Sequence, residues 1–447
     1  LETTIAPPVR DDAVEGSAAR LTAIYRRISW RLLPLLMICY VFAYLDRVNI
    51  GFAKLQMAQD IGINDAVYGL GAGIFFLGYV MFEVPSNLLL EKIGARRTIT
   101  RILVLWGLAA AAMMFVTDAR SFYVVRFLLG VFEAGFAPGV LFYLTYWYAP
   151  ARMAGGMAVF LLAAPIGGIV GGPLSTWIMT AFAGAHGLTG WQWMFLLEGL
   201  PCVLLAAVVF FTMDDGPAKA AWLSAEEKEL LTEDIARFHR PGSHSFGGVL
   251  RDWRVYAMAL GYFTFISGIY AVTFWLPTIL KQSGVANTMD VGLYSAIPYI
   301  AAMLVMILLA RSSDRRNERR WHCALPAFVG AIALGVAALT STQFVLSLVS
   351  ITIATAAIFG AYAVFWSIPT AYFKGRAAAG GIALINSLGL LGGFLSPTLI
   401  GQLKTSTGSL EAGLFAIVAM LIVGGIAIIV NRIPIATKLA PIPVVTP

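Results

Sequence analysis

The sequence predicts an all-α polytopic membrane protein, with twelve transmembrane helices in two six-helix, pseudo-symmetric bundles. Three observations carry this reading. The 447 residues are 59% hydrophobic and only 12% charged, with a mean hydropathy of +0.80, whereas a soluble domain carries about 25% charged residues. Apolar stretches of the roughly 20 residues needed to cross a bilayer recur along nearly the whole chain. A short charged loop occurs twice, at the same place in each half.

Taken in order, the spans are expected at 32–53, 66–90, 98–117, 121–147, 153–182, 192–213, 255–280, 290–310, 322–341, 344–371, 378–403 and 410–431. Residues 1–30 form an arm, 31–213 and 255–432 the two bundles, 214–254 the connection and 433–447 a tail. Residues 1–23 are polar and of mixed charge, without a short apolar core or cleavage site. The first span is therefore expected to serve as its own signal. With both termini in the cytoplasm, 25 of the 31 Lys and Arg residues fall on the cytoplasmic side. Only Lys54, Arg120, Lys281 and Lys404 fall outside, and Arg47 and Arg126 lie within the membrane. That asymmetry fixes the expected topology by the positive-inside rule. It also accounts for the net charge of +7 without a nucleic-acid partner. Cys39, Cys202 and Cys323 are odd in number and set in apolar surroundings, so no disulfide framework or metal site follows.

The connection 214–254 is the one long polar stretch between spans. Within it, Ser224-Ala225-Glu226-Glu227 is a capping box. It should start a short helix running to about residue 239, with Leu223, Leu230, Leu231 and Ile235 as its apolar stripe. Pro241-Gly242-Ser243 should end it. The repeated loop reads Glu91-Lys92-Ile93-Gly94-Ala95-Arg96-Arg97 after span 2 and Asp314-Arg315-Arg316-Asn317-Glu318-Arg319-Arg320 after span 8. Each has an acid, a base, three residues and two bases, the kind of internal repeat from which many secondary transporters are built. Glu91 and Asp314 are placed to pair with bases or helix N-termini across the half-interface. With Lys92, Arg96, Arg97, Arg315, Arg319 and Arg320 they would form a latch that favours the outward-facing state.

Charges inside spans stand out. A charge at the bilayer centre costs at least about 2.5–3.5 kcal/mol, so such residues face a protein interior or a wet cavity. Asp46 and Arg47 are adjacent in span 1, and Arg126 and Glu133 lie nearly two turns apart on one face of span 4. A guanidinium grips a carboxylate with two parallel hydrogen bonds, which makes Arg47 the first candidate for an anionic ligand; its alternative is merely to neutralise Asp46. Tyr40 and Tyr44 precede it on a similar face. Burial favours the neutral form of a lone carboxyl and a facing cation the charged form. Glu133 and Asp46 are thus candidates for taking and releasing protons, the alternative being a fixed ion-pair network. Glu83 and Glu198 read as structural. The second half has no charge in the middle of a span. Its candidate lining is Tyr262, Thr264, Ser267, Tyr270, Tyr299, Trp366, Ser367 and Asn386. Gly167, Gly168, Gly171 and Gly172 read as close helix packing.

Twelve spans, the long central connection and the doubled loop resemble the major facilitator superfamily. More narrowly, Tyr44-Leu45-Asp46-Arg47-Val48-Asn49, Phe82-Glu83-Val84-Pro85-Ser86-Asn87, Arg126 to Gly135 and Trp191 to Gly199 resemble the anion:cation symporter family. The resemblance covers residues 25–432. The first loop departs from the family pattern at Asn87 and Glu91, and the second lacks the central glycine. The resemblance implies a multi-pass protein of the bacterial inner membrane, a monomer, importing a small organic carboxylate with protons. It assigns proton coupling to Asp46 and Glu133 and anion binding to Arg47. Arg126 is assigned to coupling or substrate support and Tyr44 to the substrate wall beside Arg47, and the resemblance has Tyr79 facing the cavity. Trp366, Ser367 and Asn386 match a cluster that holds substrate hydroxyls in sugar-acid permeases.

A C4 sugar acid such as tartrate is the first expected substrate, because Ala163 to Gly168 is apolar where a polyhydroxylated ligand would want an amide. An aromatic acid such as 4-hydroxyphenylacetate or phthalate is the alternative, given Tyr and Trp in the second half. An uncoupled facilitator or exchanger also stays open. No nucleophile–base pair, metal spacing or nucleotide loop points to an enzyme or a pump, and neither cofactor nor metal is expected.

Overall fold

Residues 11–237, 246–373 and 376–431 are described in the computed structural model; the first ten residues of the arm, the proposed stop at Pro241-Gly242-Ser243 and the tail 433–447 lie outside them. The described residues contain helices and no strand. Twelve helices are long and apolar enough to cross a membrane. Spans 1 to 6 are Ala19–Asp60, Asp65–Ile93, Ala95–Phe115, Ala119–Thr145, Val159–Ala181 and Gly190–Thr212. Spans 7 to 12 are Trp253–Gln282, Thr288–Arg316, Arg320–Leu339, Phe344–Tyr372, Gly380–Thr407 and Leu410–Val430. Each matches a predicted span, with span 1 extended at its start because its helix runs on from Asp11.

Three spans are broken, each near the residue four before a proline: span 4 at Ala134-Gly135, span 5 at Leu162 and span 10 at Trp366. Pro138, Pro165 and Pro369 cannot donate the hydrogen bond that would close those turns. At Gly135 the backbone turns left-handed, with φ of 85°, so span 4 is interrupted just after Glu133. Other internal prolines, Pro277 and Pro397 among them, leave the helix continuous.

The two halves repeat in their packing. Span 1 lies against spans 5 and 6, span 2 against 4, and span 3 against 4 and 6; in the second half, 7 lies against 11 and 12, 8 against 10, and 9 against 10 and 12. The halves meet through spans 2 and 11 and through spans 5 and 8, which the same pseudo-symmetry exchanges. The doubled loop shares a backbone device as well. Gly94 (φ 91°) and Asn317 (φ 49°) occupy the same repeat position, both with positive φ. Asn is the non-glycine residue that most readily accepts that region, which explains how the second copy dispenses with the central glycine.

The connection folds as predicted where it is described. The Ser224 amide donates to Glu227 and the Glu227 amide to Ser224 Oγ, starting the helix Ala225–Arg237. Arg20 grips Glu226 with two hydrogen bonds of 2.8 Å and Tyr25 reaches Asp234 at 2.8 Å, docking this helix on the start of span 1. The hydrogen bond from Arg20 holds the Glu226 carboxyl below its usual range.

At the membrane face opposite this connection, the far side, the halves are closed. A Cβ on Gly69 would lie 2.2 Å from the Pro397 carbonyl oxygen, and one on Gly172 would lie 2.8 Å from that of Gly292. Only glycine lets spans 2 and 11, and spans 5 and 8, approach this closely. The Ala66 amide donates to Thr405 Oγ1 (2.9 Å) and Tyr68 to the Phe274 carbonyl (2.9 Å) across the same seam.

Candidate functional site

Arg47 lies near the middle of span 1, at the meeting of the halves. Its Nε donates to Glu133 Oε1 at 3.0 Å, and its Nη2 reaches the same oxygen. Its Nη1 donates to the Tyr270 hydroxyl of span 7 at 2.7 Å. The guanidinium is ringed by aromatics, with the centroids of Tyr44, Phe75 and Tyr79 at 5.4, 5.4 and 5.5 Å. Such rings attract a cation through their negative faces. Arg47 is thus paired with Glu133 and Tyr270, not with its neighbour Asp46. Glu133 Oε2 is buried and has no hydrogen-bond partner.

Asp46 points away from Arg47, as adjacent helical residues separated by about 100° do. It accepts from Trp106 Nε1 of span 3 at 2.5 Å and from Asn49 at 3.3 Å. The Asn49 amide also donates to Glu198 Oε2 (2.9 Å), whose other oxygen accepts from Ser175 (2.7 Å). Spans 1, 3, 5 and 6 are tied by this buried chain, with Glu198 as one of its knots. Arg126 lies on the same side of the bundle but meets main chain. Its Nε and Nη2 each lie 3.3 Å from carbonyls of Gly71 and Ala72 in span 2, with the Phe75 ring 5.1 Å from its guanidinium. Phe75 therefore separates the two arginines, a role that an apolar run of residues does not announce.

The second half offers rings and one amide. Tyr262 stacks on Phe365 (5.2 Å, 14°) and meets Trp366 edge-on (4.8 Å). Asn386 accepts from the Tyr262 hydroxyl (3.4 Å) and donates to Glu83 of span 2 (2.7 Å), a further polar link between the halves. Ser367 donates to the Val364 carbonyl across the break in span 10 (2.6 Å), and Thr264 to the Gly261 carbonyl in its own helix (2.8 Å). Ser267 donates likewise to Phe263. Tyr299 backs against Gly168. Tyr40, from the first half, stacks on Phe160 at 4.3 Å.

The loop charges are arranged within each half. Asp314 pairs with Arg319 at 2.5 Å, Arg319 also donates to Ser313, and Arg320 reaches the Ile429 carbonyl. In the first copy the Arg96 amide is capped by Asp215 at 3.0 Å, while Glu91, Lys92 and Arg97 are exposed, as is Arg315 in the second. Among the described residues no hydrogen bond or ion pair joins one loop to the other. A cluster at the far side escaped sequence reading: Asp65 pairs with Lys54 at 2.6 Å and with Lys404 of the other half at 3.1 Å. Both lysines lie over the Trp275 ring, at 3.9 and 5.6 Å. Charges at span ends are the normal condition of a membrane helix, so the sequence carries no sign of this cluster.

The profile of the Major Facilitator Superfamily matches residues 36–397. The chain is 45% identical over 403 residues to the "Putative metabolite transport protein NicT" of Pseudomonas putida, covering 90% of this chain and 92% of that one. It is 44% identical over 412 residues to a "Putative tartrate transporter" of Agrobacterium vitis, covering 92% and 94%. Among solved structures, a D-xylose-proton symporter superposes with a TM-score of 0.72 at 16% identity, over 92% of this chain and 98% of that one.

Proposed function

The chain belongs to the major facilitator superfamily as a secondary transporter of organic substrates, not an enzyme, and we propose that it imports an organic carboxylate anion together with protons. The observation that carries this reading is the shared grip on Arg47. Glu133 takes two of its N–H groups and Tyr270 a third. An incoming carboxylate needs the same fork, so it binds by displacing Glu133. The displaced carboxylate, buried and without a cation, then favours its protonated form, and Oε2 is the oxygen free to take that proton. Anion binding and proton uptake are thereby one exchange. Asp46 is the second proton site in this scheme, coupled to Arg47 through their shared turn. Arg126 supports the site by fixing span 2 behind Phe75.

The surplus of Lys and Arg on the side of the connection makes that side cytoplasmic. Closure of the far side then corresponds to a state closed to the outside. Loops 91–97 and 314–320 would latch the cytoplasmic side in the opposite state, and the halves rock about the Arg47 level. A tartrate-like hydroxy acid is the first substrate reading, supported by the relatives named tartrate transporters. The ring cluster of Tyr262, Phe365 and Trp366 favours an aromatic acid as the second.

Proteoliposomes supplied from outside with labelled tartrate, galactonate, phthalate or 4-hydroxyphenylacetate test both points. One acid should accumulate above its external concentration under an inward pH gradient. Glu133→Gln should still exchange that acid across the membrane but no longer concentrate it. Concentration by a folded Glu133→Gln protein would remove the proton role, and uptake that only equilibrates in the wild type would leave an uncoupled carrier.

A further inference from the structure

We infer that the groove between spans 8, 9 and 10 is a binding site for an anionic phospholipid of the connection-side leaflet. The groove has a volume of about 920 Å³, at the upper end of the range typical of ligand pockets. Along span 8 its lining runs from Ser312 to Ala301, and opposite them stand Leu325, Val329 and Ile353. Eleven residues of helix rise about 16 Å, roughly half of a bilayer's hydrocarbon core of about 30 Å. An acyl chain of one leaflet fits that depth.

The mouth of the groove is charged and uncompensated. A second pocket of about 400 Å³, lined by Arg311, Arg315 and Arg316, adjoins the groove and shares Ser312 and Arg316 with it. Residues 311–320 hold five arginines and two acids, and both acids are engaged. Asp314 pairs with Arg319. Glu318 caps the start of span 9 through the amides of Trp321 (2.8 Å) and His322 (3.0 Å), and bonds the His322 ring at 2.7 Å. Burial is the largest influence on the Glu318 carboxyl and raises it, but these hydrogen bonds together hold it below its usual range, so it stays ionised on span 9. Arg319 and Arg320 are likewise taken, by Asp314 and by the Ile429 carbonyl. Arg311, Arg315 and Arg316 remain exposed. Three guanidiniums at leaflet depth, next to an apolar channel one acyl chain long, match a headgroup phosphate and its tail. Basic pockets between transmembrane helices recognise anionic headgroups in this way.

The test reconstitutes the full chain in phosphatidylcholine vesicles. They carry a small fraction of either phosphatidylglycerol or phosphatidylcholine with a photoreactive acyl chain, and the labelled peptides are mapped by mass spectrometry. The phosphatidylglycerol probe should label residues 301–309, 325–329 and 352–357 well above the phosphatidylcholine probe. Each arginine removed in R315Q and R316Q should cut that excess about fivefold, and V329W, which fills the groove, should remove it without touching the arginines. R311Q, at the other edge of the mouth, gives a second reading should either variant fail to fold. Equal labelling by the two probes would reduce the groove to ordinary lipid contact and overturn the proposal. So would an excess that persists in both arginine variants. Loss of labelling on adding millimolar inorganic phosphate would reassign the arginines to a free anion.

Discussion

The two halves share a packing plan but not a chemistry. Among the described residues every buried charged side chain belongs to the first half: Asp46, Arg47, Lys54, Glu83, Arg126, Glu133 and Glu198. The second half buries only hydroxyls and amides, such as Thr264, Ser267, Thr273, Ser295 and Asn431, beside its rings. Since each charge in a membrane costs at least about 2.5–3.5 kcal/mol, the asymmetry is not incidental. In the transport scheme proposed above, one half handles charge and the other is the wall shaped around the ligand. They touch chemically at two points near the middle, Arg47 with Tyr270 and Glu83 with Asn386.

The largest test of this division is Arg47. Removing one partner of a buried hydrogen-bonded charge pair costs about 2–5 kcal/mol. Arg47→Ala should therefore weaken binding of the transported acid by roughly 30- to 5,000-fold, measured by calorimetry on purified protein. Because the variant strands Glu133, the double variant Arg47→Ala/Glu133→Gln is the control. It should regain thermal stability and not binding. Arg47→Lys keeps the charge but loses the planar fork and should fall between. A double variant that binds as tightly as wild type would place the anion elsewhere.

How much of this was legible in the sequence follows from how rare the signal is. A charge in an apolar run has few explanations, so Arg47, Glu133, Asp46 and Arg126 could be picked out, and the loop repeat gave the two-fold plan. What a charge touches is set by helix rotation and tilt, which periodicity leaves open. Asp46 and Glu133 share a role by sequence, yet Asp46 faces Trp106 and Asn49, and Arg126 faces main-chain carbonyls of span 2. Tyr270 was one ring among several in the second half until its hydroxyl was seen on Arg47. The Lys54–Asp65–Lys404 cluster had no signal at all, because charges at span ends are the normal condition of a membrane helix.

Tyr270 sharpens the comparison at its joint. A hydrogen bond between membrane helices averages about 0.6 kcal/mol and reaches about 1.7. Tyr270→Phe should thus weaken acid binding only about three- to twentyfold and leave the proton dependence of uptake unchanged, since Glu133 stays in place. If instead concentration fails while exchange survives, the second half takes part in handling charge and the division drawn above breaks.

The smallest effect is expected at the far side, where charge belongs to closure and not to the ligand. Lys404 crosses the half-interface to Asp65 at 3.1 Å, with Lys54 on the other oxygen at 2.6 Å. A partly exposed ion pair is worth about 0.2–1 kcal/mol, so Lys404→Ala should shift the balance toward a far-side-open state by up to about fivefold. Thr398→Cys reports it, because Thr398 lies in the seam beside Gly73, and the native Cys39, Cys202 and Cys323 are buried. Its reaction with an impermeant maleimide added from outside should quicken by that factor in Lys404→Ala, with acid affinity at the Arg47 site nearly unchanged. Asp65→Asn, which unpairs both lysines at once, should quicken it further. Unaltered labelling in both variants would mean that the glycine seam alone, through the approach of Gly69 to Pro397 and of Gly172 to Gly292, holds the far side shut.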